Sequence, residues 1–328
     1  MTNPVSGEYH NRTTGLIIFG ILEIVMGALS LLMAVTVLLG GLLAGHAGGE
    51  MPLRALIPGV GVYVLVGIVA IWLGIGSMLA RRWARALWLC VSGVGLVLGL
   101  VSIPFGAMVA ANLPRQMAAS GQPQLPPAGM VVVQVVVIGI MAFFYVIIPG
   151  ALFLFYRSPQ VKHTCETRDP QEGWTDRCPL PVLALSLFTA FSGFGMLFLI
   201  AYGGVFPLFG TYATGALGCA LALVGGGVML GLARGLYRLR IGAWWGVLAF
   251  MLIMTISGTV TLWHADLGEL YARMGFDSRM TAASTQFGQM SLMRWMAPVW
   301  VIPWVGWLLY VRRYFRVAPG AGVPAPKP

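Results

Sequence analysis

Charge is what this chain has least of. Only 9% of its 328 residues are charged, 10 of them acidic, while 58% are hydrophobic. Soluble domains carry about a quarter charged residues, so water cannot be the main solvent of this surface. Cysteine is scarce as well. Cys90, Cys165, Cys178 and Cys219 form no dense framework, and structural disulfides are not expected. His10, His46, His163 and His264 are scattered. The chain has no His-Glu-x-x-His, no Gly-x-Ser-x-Gly and no phosphate loop of the Gly-Lys-Ser type, so the sequence points to a non-enzymatic protein with no cofactor.

What is present is apolar length. A helix of about twenty residues crosses the hydrocarbon core at about 1.5 Å per residue. Segments of that kind run over residues 16–43, 56–80, 86–111, 130–156, 182–205, 211–233, 243–263 and 297–310. They are apolar on every side, without the strict alternation of barrel strands, so helices are predicted. The first is nearly twice as long as a signal-peptide core and is expected to be retained.

The net charge of +10 gathers at helix ends instead of forming a basic stripe, which argues against nucleic acid as a partner. With the N-terminus in the cytoplasm, fifteen of the 20 basic residues fall inside. Arg54, Arg115, Arg273, Arg279 and Arg294 fall outside, as a positive-inside bias requires. The expected fold class is therefore all-α transmembrane, with eight spans as two parallel four-helix repeats and both termini cytoplasmic.

The repeat rests on two landmarks. Arg82 to Trp88 returns as Arg238 to Trp244 at an offset of 156, and Ile148-Pro149 returns as Ile302-Pro303 at 154. An even number of spans per copy makes the repeat parallel. The expected divisions are 1–157 and 182–316 for the two repeats, 158–181 for a cytoplasmic linker and 317–328 for a flexible tail. Gly95 with Gly99, and the ladder Gly227, Gly231 and Gly235, put small residues on one helix face, where backbones can approach closely. Pro149 and Pro303 each remove a backbone bond at the same relative place, predicting repeat-matched kinks.

The linker is the most polar stretch. Its words Thr164-Cys165-Glu166, Arg168-Asp169-Pro170 and Trp174-Thr175-Asp176-Arg177-Cys178-Pro179-Leu180-Pro181 resemble a cytoplasmic linker of uncharacterised multi-pass bacterial inner-membrane proteins. The resemblance covers under a tenth of the chain. It implies the inner (plasma) membrane of a bacterium and no particular activity.

Glu23 is the one acid set well inside a span. Charge buried there costs at least about 3 kcal/mol unless it is paired, hydrated or protonated. It is a candidate intramembrane ion or proton site, weighed against a structural acid held by a neighbouring helix, for which an arginine of the 81–85 turn is the expected partner. His163, Cys165 and Cys178, with Asp176, supply soft-metal ligand types at unfavourable spacing, so reduced thiols in a solvated linker are the expected reading. Asp266 to Gly275 predicts a short interfacial helix, while the matching loop at 112–129 reads as irregular. Trp83, Trp88, Trp244 and Trp245 read as interfacial anchors.

These features predict a membrane organisation or assembly component whose partners are the lipid bilayer and another membrane protein or a second copy of this chain. A transporter or channel for a small solute, proton- or cation-coupled through Glu23, is the alternative.

Overall fold

The computed structural model describes residues 11–46, 53–119, 126–264, 273–274 and 293–315. In chain order the helices are α1 (Thr13–His46), α2 (Leu53–Met78), α3 (Arg82–Ala119) and α4 (Pro127–Ala142). A π-helical turn at Phe143–Ile147 leads into α5 (Ile148–Arg157), then α6 (Pro159–Arg168) and a 3-10 turn at Trp174–Arg177. The rest comprises α7 (Leu180–Ala201), the strands β1 (Phe206–Leu208) and β2 (Thr211–Ala213), α8 (Gly215–Tyr237), α9 (Ile241–His264) and α10 (Met293–Val311). Among the described residues seven helices are long and apolar enough to cross a membrane, so this is an all-α, multi-pass membrane protein. The expected eighth span coincides with the 19 residues of α10, which is not one of the seven. Of the interfacial helix expected over Asp266 to Gly275 only residues 273–274 are described, and the 317–328 tail lies outside the described residues.

The chain divides into two compact units, residues 1–37 with 60–180, and residues 38–59 with 181–328. In the first, α1 and α2 run antiparallel and meet at glycines seven residues apart on each helix. A methyl added at Gly20 would lie 2.8 Å from the Gly74 carbonyl oxygen, and one at Gly74 would lie 2.7 Å from the Gly20 oxygen. Gly27 and Gly67 approach each other in the same reciprocal way, at 2.8 and 2.9 Å. Backbone so close to backbone gains dispersion contacts that lipid cannot supply. α3 packs against α4 and α5.

Residues 158–181, mostly exposed or half-buried, carry regular structure. Pro159, preset for the first turn of a helix, starts α6, and Val161, Thr164 and Cys165 are buried. The Asp169 carboxylate accepts the Arg82 backbone N–H at 3.3 Å at the start of α3, where the free N–H groups favour an anion. Arg82 also lies 3.5 Å from Asp176 and 3.8 Å from Glu166.

In the second unit, α9 packs against α8 and α10, and Phe188 of α7 stacks on Trp304 of α10 at 3.9 Å. Ser186 Oγ donates to the Ala233 carbonyl at 2.8 Å, and seven residues along each helix Gly193 meets Gly226. The sixth apolar segment begins at Gly215, not at 211, because a hairpin precedes it. Its two turn residues, Phe209 at φ 40° and Gly210 at φ 101°, adopt the positive φ that the twist of a two-residue hairpin demands. Ser257 Oγ accepts the Phe209 N–H at 3.1 Å and Thr261 Oγ1 accepts the Gly210 N–H at 3.1 Å, so α9 satisfies the turn.

The α2–α3 and α8–α9 turns share one geometry. In the first, Ala80 stands at φ 51° and Arg81 N–H donates to the Gly76 carbonyl at 2.9 Å. In the second, Leu239 stands at φ 54° and Arg240 N–H donates to the Gly235 carbonyl at 3.0 Å. This is the left-handed helix stop that usually falls to glycine. A methyl on Gly76 would meet Ala84 Cβ at 2.7 Å, and one on Gly235 would meet Ala243 Cβ at 2.5 Å. These correspondences hold at an offset of 159, three residues from the 156 of the basic-aromatic words, so within the turn geometry Trp244 stands where Arg85 does.

Candidate functional site

All four apolar segments of the first unit send one polar or aromatic residue to the same interior point. Glu23 of α1 is 1% exposed. The Tyr156 hydroxyl of α5 lies 2.8 Å from Glu23 Oε1 and 2.7 Å from Ser77 Oγ of α2. Trp88 of α3 stacks on the Tyr156 ring with centroids 6.3 Å apart. Its Nε1 lies beside the Glu23 carboxyl, outside hydrogen-bonding geometry, so Glu23 Oε2 and Trp88 Nε1 are both buried without a protein partner. Each position follows from its helix. Glu23 lies between Gly20 and Gly27 on the α1 face pressed to α2, and Ser77 lies in the last turn of α2, beside Gly76.

The expected arginine partner of Glu23 is absent from this contact. Arg85 points its Nε at the Tyr156 backbone carbonyl, 3.0 Å away, while Arg81 and Arg82 face the carboxylates of residues 166–176. A guanidinium is served better by several carboxylates at the helix end than by one acid at membrane depth.

Several candidates from the sequence meet at the α3–α5 contact. Pro149 lacks the N–H that would bond the Tyr145 carbonyl, and that oxygen is the atom a side chain at Gly99 would strike. Gly95 faces the Pro149 ring, 3.6 Å from an added methyl. The π-helical turn directly precedes Pro149, and Ile148 N–H reaches back to the Phe143 carbonyl. Pro303 lies inside α10, which is α-helical from end to end. Gly235 packs on Ala243, whereas a side chain at Gly227 or Gly231 would meet nothing within 4 Å. The close approach of α8 is made by Gly226, one position away, and the heptad-spaced pairs of α1 and α2 give the signal that would have found it.

Trp88 and Trp244 are buried within their units. Trp244 Nε1 donates to the Leu308 carbonyl at 2.8 Å. Trp83 stacks on Trp72 at 4.2 Å, and Arg312 lies 5.3 Å from the ring of the exposed Trp245. The loop expected over 112–129 begins as helix, because α3 continues to Ala119 through Pro114.

His163, Cys165, Cys178 and Asp176 are not brought together, and among the described residues no group of three or more such side chains could hold a metal ion. All four cysteines are free. Burial pushes the Cys165 and Cys178 thiols up to about 11, against the partial relief that Arg85 gives Cys165. Asp176 is occupied by Arg82 and by the Gly173 N–H, 2.9 Å from Oδ2.

Comparison of the chain with protein-family models, with curated proteins and with solved structures gives no match.

Proposed function

We propose that this protein is a non-enzymatic component of the bacterial inner membrane that assembles membrane partners through a helix face. The reading takes α10 as the eighth span, both termini as cytoplasmic, and the two units as parallel four-helix repeats. The shared turn at an offset of 159 and the paired small residues of α1/α2 and α7/α8 support the duplication.

The observation that carries the assembly reading is the placement of Gly227 and Gly231. They sit one turn apart on α8, both exposed, with open space beyond each Cα, while Gly225 and Gly226 serve packing within the unit. An open small-residue pair lets the backbone of a partner's transmembrane helix come close. The test places a photo-crosslinking residue at Val224 or Val228, which flank the pair and are exposed, and at the exposed Val135 of α4 as a control. In native membranes, protein adducts should form at Val224 and Val228 but not at Val135. They should disappear when Gly227→Ile and Gly231→Ile are added. Lipid adducts alone at all three positions would reject the reading.

A transporter or channel for a small solute, proton- or cation-coupled through Glu23, is the second reading. The observation favouring it is the burial of that acid among polar groups from three other helices.

A further inference from the structure

The matched turns give a residue-by-residue register between the units, and that register isolates the Glu23 cluster. At 159, Gly67, Gly74 and Ser77 of α2 correspond to Gly226, Ala233 and Leu236 of α8, and Trp88 corresponds to Val247. The antiparallel pairs then fix α1 on α7. Gly20 meeting Gly74 corresponds to Ser186 meeting Ala233, and Gly27 meeting Gly67 to Gly193 meeting Gly226, which sets Glu23 on Thr189. Arg85, donating to the Tyr156 carbonyl, corresponds to Trp244 donating to the Leu308 carbonyl, which sets Tyr156 on Leu308, two residues before the Tyr310 that the Pro149–Pro303 landmark pairs with it and that is exposed.

Where the first unit has Glu23, Ser77, Trp88 and Tyr156, the second has Thr189, Leu236, Val247 and Leu308, exposed by 1%, 0%, 1% and 0%. Thr189 bonds only its own helix, at the Leu185 carbonyl 2.7 Å away. The same four places are thus filled in one unit by three apolar side chains and a threonine bonded within its own helix, and in the other by an acid with its hydrogen-bond chain. The architecture does not need the acid.

The chain of oxygens suits a group that gains and loses a proton. With the carboxylate ionised, Ser77 O–H donates to Tyr156 Oη and Tyr156 O–H donates to Glu23 Oε1. With the carboxyl protonated on Oε1, Glu23 donates to Tyr156 Oη and Tyr156 donates to Ser77 Oγ. Both states use the same two contacts, at 2.8 and 2.7 Å, with every arrow reversed. Only the Ser77 O–H loses its acceptor when the carboxyl is protonated, so the change of charge costs one hydroxyl partner and leaves the carboxyl paired with Tyr156 in both states. Among the described residues no cation touches the carboxyl. Of the groups around it, α2 offers Ser77, α3 offers Trp88 with Arg85 on the Tyr156 carbonyl, α5 offers Tyr156, and Cys165 of α6 faces Tyr156 from the next layer.

We propose that Glu23, Tyr156 and Ser77 form a one-proton binding site confined to the first unit, loaded and emptied by reversal of the Glu23–Tyr156–Ser77 hydrogen-bond chain. This deepens the second functional reading and rests on it only in taking Glu23 as functional. The reversible step is transfer of one proton between Glu23 Oε1 and water, with no other bond made or broken.

The test is infrared difference spectroscopy of the full chain in lipid nanodiscs, titrated from about pH 4 to about pH 10 to span the ordinary carboxyl and thiol ranges. A protonated-carboxyl C=O band should appear and vanish as one proton's worth of signal. It should be missing in Glu23→Gln and shifted in frequency in Tyr156→Phe, where the carboxyl loses its partner. An unchanged titrating band in Glu23→Gln, or a Glu23 carboxyl that never changes state across the range, would overturn the proposal. Should Glu23→Gln fail to fold, the same spectrum of Tyr156→Phe decides, since a band indifferent to that change does not come from Glu23. Proton flux into liposomes under a pH gradient is measured separately, so a titrating site without flux leaves the site standing and removes the transport reading.

Discussion

The Tyr156 hydroxyl donates to Glu23 Oε1 across 133 residues of sequence, closing the fourth apolar segment of the first unit onto the first. The contact lies where α1, α2, α3 and α5 all contribute, so one hydroxyl ties α1 and α2 to α5, beside the glycine packing of α1 on α2 and the Arg85 bond between α3 and α5. Its removal should be felt by the whole unit. Tyr156→Phe keeps the ring stacked on Trp88 and deletes only the oxygen, leaving the Glu23 carboxyl and Ser77 unpartnered. A loss of about 1–3 kcal/mol is expected, read as lowered heat stability in detergent. Unchanged stability would mean that the hydroxyl is not a working partner of the acid.

Glycine positions should separate sharply by what lies beyond each Cα. Gly27→Ala and Gly74→Ala push a methyl against backbone oxygen on the facing helix and should cost about 1–3 kcal/mol, because overpacking against backbone cannot relax by a rotamer change. Gly227→Ala and Gly231→Ala meet nothing within 4 Å and gain helix propensity of about 1 kcal/mol each, so they should be neutral or stabilising. Equal destabilisation at both sets, by thermal unfolding, would contradict the α1–α2 and α8 packing described.

Residues 158–181 should behave as a folded cap. Asp169→Ala removes the acceptor for the Arg82 N–H at the start of α3, with an expected cost of about 1 kcal/mol, and should raise protease cleavage within 158–181. Asp169→Asn, which can still accept that bond, should recover most of the loss. Cleavage that is already fast in the unaltered protein would argue against the cap.

Alkaline pH should weaken the protein through its buried thiols. Cys165 and Cys178 hold their protons to about 11 in the folded chain against 9.0 for an ordinary thiol. Between those values the unfolded chain releases protons that the folded chain keeps, so stability is complete below about pH 9 and falls as pH rises toward about 11. Melting temperatures measured across that window should fall less steeply in Cys165→Ala and Cys178→Ala. Near neutral pH both thiols should alkylate slowly, in keeping with burial and a suppressed thiolate.

The sequence makes the helical membrane class legible because twenty-residue apolar runs have few other uses, and it makes Glu23 legible because acid at membrane depth is costly. It does not reveal the partners of that acid. Tyr156 sits at a helix end among aromatics and Ser77 beside a basic turn, each reading locally as ordinary, and only folding brings them to one point. The likeness of the α2–α3 and α8–α9 turns is also obscured. Shared words at 156 align Trp88 with Trp244, whereas the backbone turn aligns Arg85 with Trp244, because similar residues recur one helical turn apart in apolar sequence. The α6 cap hides in polar composition, and the hairpin before α8 is carried by Phe209 at positive φ, a conformation its type does not announce.

The measurement that tests the account most directly is the stability of the first unit rebuilt in the image of the second, by Glu23→Thr, Ser77→Leu, Trp88→Val and Tyr156→Leu together. If the polar cluster is a site set into a fold that does not need it, the chain will still insert and will melt at or above the temperature of the unaltered protein. Replacing a buried polar network by apolar groups is often neutral or stabilising by about 1–4 kcal/mol. A chain that no longer accumulates in the membrane, or that melts well below the original, would show that the cluster holds the unit together and would contradict the account.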